Sequence, residues 1–533
     1  MLDKLWLLIP EMCLFAGAVV VSVMGLSRSR TMRDMLALIV CISLAAAFIV
    51  TPAIYTQERV ESADLLMPWL GRYVKMLVAG IGILLAMLTV GLIDRKMEAS
   101  IEQGRTAFDP LRANRGEFFA FFLFSLMGVM LIPGSNDLIW LFLALELASL
   151  PTYIMIAISR PAHQAQEAAV KYFFLGAMAA ATFLFGFALI YGATGTITLT
   201  EIRDVLAMQA ADGGISGLAI LGMVLAVLGI GFKMAAAPMH FYAPDVYEGA
   251  AAPVTAFLGF VPKTAGAVAL ILLLETVGWS NHLADGARGL PVEIGTTLWM
   301  MAALTMILGN IGALLQRNIK RLLAYSSIAH SGYMIIGLLA GPGLGVNALL
   351  FYLLAYGVMN TAAFAVLASL ERRGEEIETL DDLAGLRERS PILAIIMALS
   401  AASLIGLPPF IGFIGKLYLF IAGIEAGQIW LVVIAALNSA ISAWYYLLLA
   451  GMPLLSPTNA LSAAVNVRRV IWPRVAAAIT AAGIIIVPIF GQGFFKATEA
   501  ATRELRDPLP GVLTQIDADD SDSKKGRQPA ILE

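Results

Sequence analysis

Gly229-Ile-Gly-Phe-Lys-Met-Ala-Ala-Ala-Pro-Met-His240 places a lysine and a proline inside an apolar run extending from about 218 to 242. About 20 apolar residues suffice for a helix to cross a bilayer, so Lys233 is expected deep in hydrocarbon. Pro238 lacks an amide donor and clashes with the helical carbonyl four residues back, at Met234. Irregular backbone at such depth is tolerated only inside protein or beside a water-filled cavity. The stretch therefore predicts a broken membrane helix with a buried charge. A second such stretch lies downstream, Leu407-Pro-Pro-Phe-Ile-Gly-Phe-Ile-Gly-Lys416, where two prolines and two glycines precede another lysine.

Apolar runs of helical length surround both. They fall at about 5–26, 35–54, 74–93, 117–133, 138–158, 165–191, 218–242, 253–277, 296–315, 322–339, 343–370, 391–424, 429–449 and 470–490. This pattern predicts an all-α polytopic membrane protein of about 14 transmembrane helices, since single segments can satisfy their own backbone in lipid only as helices. The alternating segments of a β-barrel are absent. The first run lacks a cleavage site of small residues and reads as a retained span, not a signal peptide. Helices seven and twelve carry the breaks and are five apart, which predicts two five-helix repeats, spans 4–8 and 9–13, inverted relative to each other. The expected organisation is a three-helix segment over 1–115, repeats over 116–277 and 278–449, a last span in 450–490, and a disordered polar tail over 491–533. A charged segment, 371–390, reads as a surface helix or loop.

Composition agrees. Of 533 residues, 59% are hydrophobic and only 14% charged, against about 25% charged in soluble domains. A net charge of −3 leaves no basic footprint for nucleic acid. Cys13 and Cys41 lie in apolar runs, and without a CxxC, a His/Cys cluster or a P-loop the sequence offers no metal, iron–sulfur or nucleotide site. Eighteen Arg and Lys fall in the odd-numbered loops, from Arg28 to Arg469, and four in the even ones, Arg59, Arg72, Arg203 and Arg288. The positive-inside bias puts the odd loops in the cytoplasm and both termini on the periplasmic side.

A charge near the bilayer centre costs about 2.5–3.5 kcal/mol on insertion scales. Glu146, Lys233, Lys263 and Lys416 all fall deep in their spans, and four such costs point to a shared use. His330, in Tyr325-Ser-Ser-Ile-Ala-His-Ser331, is a weaker candidate, because a lone membrane histidine often only packs. Lys171 is also weaker, because a lysine near a helix end can snorkel to the interface. Glu275 reads as interfacial. Asp245 to Glu248 reads either as a proton-gathering loop or as a polar turn.

Further stretches carry a family likeness: Gly116-Glu-Phe-Phe-Ala120, Leu145-Glu-Leu-Ala-Ser-Leu-Pro-Thr-Tyr153, Glu167-Ala-Ala-Val-Lys-Tyr-Phe-Phe-Leu-Gly-Ala177 and Lys320-Arg-Leu-Leu-Ala-Tyr-Ser-Ser-Ile-Ala-His330, with the two broken helices. Spanning about 116 to 416, they resemble the antiporter-like membrane subunits of proton-pumping NADH:quinone oxidoreductase (respiratory complex I), most closely the N-type. By that resemblance Glu146, Lys233, Lys263 and Lys416 match the family's relay carboxylate and lysines. Lysine at both 263 and 416 favours the N-type over the L- and M-types. Tyr242 stands where the family usually has tryptophan. The resemblance implies a subunit of a bacterial inner-membrane complex; Ser326, Ser327, Tyr325 and His330, with water, are candidates to pass a proton from Lys263 to Lys416. It implies no cofactor in this chain, with flavin, iron–sulfur clusters and quinone held by partner subunits. The same fold also serves multi-subunit Na⁺/H⁺ antiporters and membrane-bound hydrogenases.

Overall fold

The computed structural model describes residues 2–62, 65–160, 162–277, 279 and 290–503. Every expected span is helical. Twelve are unbroken: Ile9–Gly25, Leu36–Ile54, Pro68–Thr89, Arg115–Leu131, Leu138–Ser159, His163–Thr194, Ala252–Val277, Val292–Leu314, Ile319–Ala340, Leu344–Ala368, Ile429–Leu455 and Trp472–Ile489. The seventh is Gly217–Gly231, followed by an irregular stretch and the short helix Tyr242–Gly249. The twelfth divides into Pro391–Ile405 and Ile411–Glu425.

Burial sorts these helices into a core and a rim. Every residue of the eighth span, Ala252–Val277, is buried. The tenth and eleventh spans are nearly as enclosed. A helix that is apolar all round belongs inside a bundle or facing lipid, and these three lie inside. The rim spans instead expose large apolar side chains such as Ile49, Phe174 and Trp444, as a lipid-facing surface requires.

The loops fall on two faces. Odd loops bond to odd loops: Arg33 to Glu98 at 2.7 Å, Arg95 to Glu371 at 2.6 Å, Arg160 to Glu378 at 3.7 Å, and Asn318 to Glu248 at 3.2 Å. On the opposite face Asp137 and Thr198, from the fourth and sixth loops, form a β-bridge. This is the geometry of a chain that alternates sides at every crossing.

One sequence expectation is corrected and two are refined. The tail does not begin at 491: Gly491–Ala501 is a helix, and Arg503 stacks its guanidinium 3.9 Å above the Trp69 ring. Residues from 504 on lie outside the described residues. The segment 371–390 is chiefly loop with short helices at Leu380–Leu383 and Leu386–Arg389, as expected, except at its start. Its first part pairs as a strand, Leu370–Arg372, antiparallel to Val465–Val467. Glu275, near the outer end of the eighth span, is buried within the protein.

The same segment sends Glu376 inward. Lys320 Nζ, almost fully buried, donates to Glu376 at 3.3 Å and to the Ala250 carbonyl at 2.8 Å. Glu376 also accepts from the Ala252 amide at 3.0 Å, capping the first turn of the fully buried eighth span. Burial pushes the Glu376 carboxyl up, but Lys320, Arg468, the Ala252 amide and Arg160 together hold it below the ordinary glutamate range. A carboxyl depressed in the fold contributes stability above its unfolded pKa and loses it as pH falls through the folded one. The contribution of Glu376 is therefore complete at neutral pH. Glu376→Gln strands the Lys320 ammonium and is expected to cost about 3–5 kcal/mol, read as a lower thermal midpoint of the purified protein. Lys320→Met with Glu376→Leu should recover most of that loss. A midpoint unchanged in Glu376→Gln alone would refute the assignment.

Candidate functional site

Two helix breaks build the site. At the first, regular helical bonding stops at Gly231, ahead of Pro238, and Ala235 takes a positive φ of 55°. The Ala237 amide is satisfied from another span, by Thr305 Oγ1 at 2.8 Å, and the Phe232 carbonyl accepts from Tyr242 at 2.9 Å. The Met234 carbonyl, the one the proline was expected to displace, accepts from Ser331 Oγ and from Lys263 Nζ at 3.5 Å. Beside it Lys233, 1% exposed, donates to Glu146 at 3.1 Å and to Ser149 at 2.5 Å. Glu146 and Ser149 are three apart on the fifth span and so share a face, which lets one ammonium reach both.

Lys263 stands in the enclosed eighth span. It donates to the Ser327 carbonyl and to Ser331 Oγ, both on the tenth span, and its ammonium lies 5.5 Å from the Tyr356 ring centre. Next in the tenth span is His330, held between two tyrosines: Nδ1 meets Tyr352 at 2.6 Å and Nε2 meets Tyr446 at 2.9 Å. Tyr446 also bonds Ser326.

At the second break Gly406 takes a φ of 91°, closed to most side chains. The Leu404 and Ile405 carbonyls at the end of the first half-helix accept from Lys416 Nζ at 3.0 and 2.8 Å. Such a helix end carries partial negative charge and favours a cation. Ser439 accepts at 3.0 Å, and the Tyr333 ring lies 4.9 Å beneath the ammonium. Tyr333 in turn stacks edge-on against His330 at 5.8 Å.

Lysine precedes the proline in the first break and follows it in the second, yet the freed carbonyls of both breaks accept from a lysine. The arrangement can carry a proton between closely spaced nitrogens, hydroxyls and a carboxylate. Among the described residues no three His, Cys, Asp or Glu side chains converge as metal ligands.

Residues 135–442 match the family described as NADH:quinone oxidoreductase/Mrp antiporter, TM. The chain is 40% identical over 410 residues to NADH-quinone oxidoreductase subunit N of Salinibacter ruber, covering 74% of this chain and 79% of that one. The chain belongs to this family.

A second subunit N, from Trichlorobacter lovleyi, is 44% identical over 335 residues, covering 63% of this chain and 66% of that relative. A chain of respiratory complex I from Thermus thermophilus superimposes with a TM-score of 0.72 at 30% identity, covering 92% of this chain and 99% of that one. A chain of the Mrp complex from Dietzia shares the fold, with a TM-score of 0.76 at 20% identity. The antiporter-like chain is a multi-pass inner-membrane protein.

The structure buries Lys233, Lys263, His330 and Lys416 and pairs the partly buried Glu146 with Lys233, but leaves Lys171 outside. That lysine is 44% exposed and pairs with Glu167 at 2.8 Å and Asp245 at 3.0 Å. Asp245 and Glu248 both hold Arg321 at 2.8 Å, so the expected loop is a short helix tied by ion pairs. Sequence reasoning missed Tyr352 and Tyr446, which clamp His330, and Ser149. It also missed the buried pair of Glu11 and Lys75 at 2.7 Å, which has a signal: opposite charges near the same end of two spans that run in the same direction.

The second break tolerates no side chain at Gly412, where an added Cβ would lie 1.8 Å from the Ser403 carbonyl oxygen. Gly412→Ala must push the half-helices apart. An overpacking cost of about 1–3 kcal/mol is expected, checked by the thermal midpoint of the purified protein. A wild-type midpoint would mean the two halves slide freely.

Proposed function

We propose that this chain is a proton-translocating membrane subunit of an NADH:quinone oxidoreductase, driven by redox chemistry in partner subunits. The observation that carries the reading is the set of buried Lys233, Lys263, His330 and Lys416 along the two helix breaks, with the partly buried Glu146 paired to Lys233. The names of its relatives support the same complex.

A nearby carboxylate raises an amine's proton affinity, and burial lowers it. When Glu146 moves off Lys233 or takes up a proton, Lys233 releases its own proton toward Lys263. Hydroxyls of Ser331, Ser327 and Tyr446, with His330 and water, pass it to Lys416. A buried lysine suits this work because its affinity can be brought near working pH. The broken helices contribute polar backbone that helps to hydrate the path. Two inverted five-helix repeats, 116–277 and 278–449, each supply one break. The arginine-rich face is cytoplasmic by charge bias, leaving both termini in the periplasm.

Tagging this chain and purifying its assembly tests the reading. The expected result is co-purification of an NADH-oxidising, quinone-reducing arm together with other membrane subunits. Recovery of small membrane proteins alone, with Na⁺/H⁺ exchange after reconstitution, would assign the chain to an antiporter instead.

A further inference from the structure

On the arginine-rich face, three segments distant in sequence close a pocket of about 380 Å³. Its charged wall is Arg95, Arg468, Arg469 and Glu371, and its apolar wall includes Val470 and Pro473. Glu371 is shared, lying 2.6 Å from Arg95 and 3.6 Å from Arg468. Two guanidiniums thus share one carboxylate, and Arg468 also faces Glu376 and Glu375 from the protein side. Arg468 is only 10% exposed, and its Nε makes no hydrogen bond. Arg469 is exposed and makes no ion pair among the described residues, while Arg474 braces its backbone carbonyl at 3.4 Å. The positive charge left over is that of Arg469, at the edge of a recess of a size to take an anion.

The position of the pocket says which anion. Its lining includes the ends of three spans: Val90 and Gly91 just beyond Thr89, Ala368 closing the eleventh span, and Pro473 opening the fourteenth. That level is where headgroups meet hydrocarbon. Ile471 and Trp472 stand exposed beside it, at 56% and 49%, and tryptophan favours this interface. Guanidinium pairs well with phosphate oxygens through parallel N–H donors. Basic pockets between membrane helices on the cytoplasmic side suit anionic headgroups.

We propose that this pocket binds the phosphate of an anionic phospholipid, whose acyl chains run down the lipid-facing side of the last span. The site clamps the three-helix segment and the last span to the second repeat.

The test uses the whole purified complex in detergent with a photoactivatable phosphatidylglycerol. Cross-links are expected on peptides covering 89–95 and 468–475. Loss of one surface charge is worth about 1 kcal/mol, so Arg469→Gln should raise the half-saturating lipid concentration about fivefold. Arg469→Lys should restore most of the binding. Arg469 is exposed and unpaired, so its variants should fold, which an unchanged thermal midpoint verifies. Phosphatidylcholine should neither label the site nor compete, and excess inorganic phosphate should not displace the probe. Equal labelling of wild type and Arg469→Gln, equal labelling by phosphatidylcholine, or full displacement by inorganic phosphate would each overturn the proposal.

Discussion

Lys233→Ala should lower proton translocation at least tenfold in an otherwise assembled complex. The alanine removes the ammonium that joins Glu146 and Ser149 and leaves the carboxylate facing a buried space. Glu146→Gln is the more delicate probe. It keeps the shape and a hydrogen-bond acceptor but discards the charge, so Lys233 becomes an ammonium in low dielectric with only neutral partners. Uncompensated buried charge costs about 3–5 kcal/mol, far more than the ordinary surface mutation. The lysine then stays neutral or moves, and in either state the first transfer stops. NADH-driven acidification of proteoliposomes measures this, with subunit content verified by gel. Wild-type pumping in either variant would remove these two residues from the path.

The second large effect is expected at Lys263→Met. In a relay, methionine interrupts transfer between the two breaks, and translocation falls to background. Stability should move the opposite way. Lys263 has no carboxylate partner among the described residues: its acceptors are the Ser327 and Met234 carbonyls and Ser331. Ser331 still donates to the Met234 carbonyl after the change. Replacing buried ionic groups by packed apolar residues is often neutral or stabilising by about 1–4 kcal/mol. Transport lost with an equal or higher thermal midpoint is thus the signature of a residue kept for function at a cost to the fold. A scaffold without transport predicts the raised midpoint with pumping intact, and that pair of results would sink the relay.

The sequence made the spans legible because lipid demands long apolar runs, and the breaks legible because proline cannot donate at Ala237-Pro238 or Pro408-Pro409. Glu146, Lys233, Lys263 and Lys416 stood out because each is costly where it lies. What the lysines touch was less visible. The partners of Lys416 are two backbone carbonyls that any sequence would possess, exposed only by the geometry at Gly406. Tyr352 and Tyr446 sit in apolar runs where an aromatic residue is unremarkable, and only folding turns their hydroxyls toward His330. Glu376 lies in a charged stretch that reads as solvent-facing. It is drawn inward by Lys320 and by the open amide at Ala252, both far away along the chain.

One span has a destination unlike its composition. Ala252–Val277 touches no lipid once the protein is complete, yet it is as greasy as helices that do. Its oiliness therefore serves delivery. During synthesis the translocon judges each segment by its partition into the bilayer before later neighbours exist, and Pro262 and Lys263 both weigh against passage. Surrounding them with leucine, isoleucine, valine and alanine lets the segment enter at all. The spans made afterwards, Ile319–Ala340 and Leu344–Ala368, then close over it and turn a provisional lipid passenger into the axis of the finished protein.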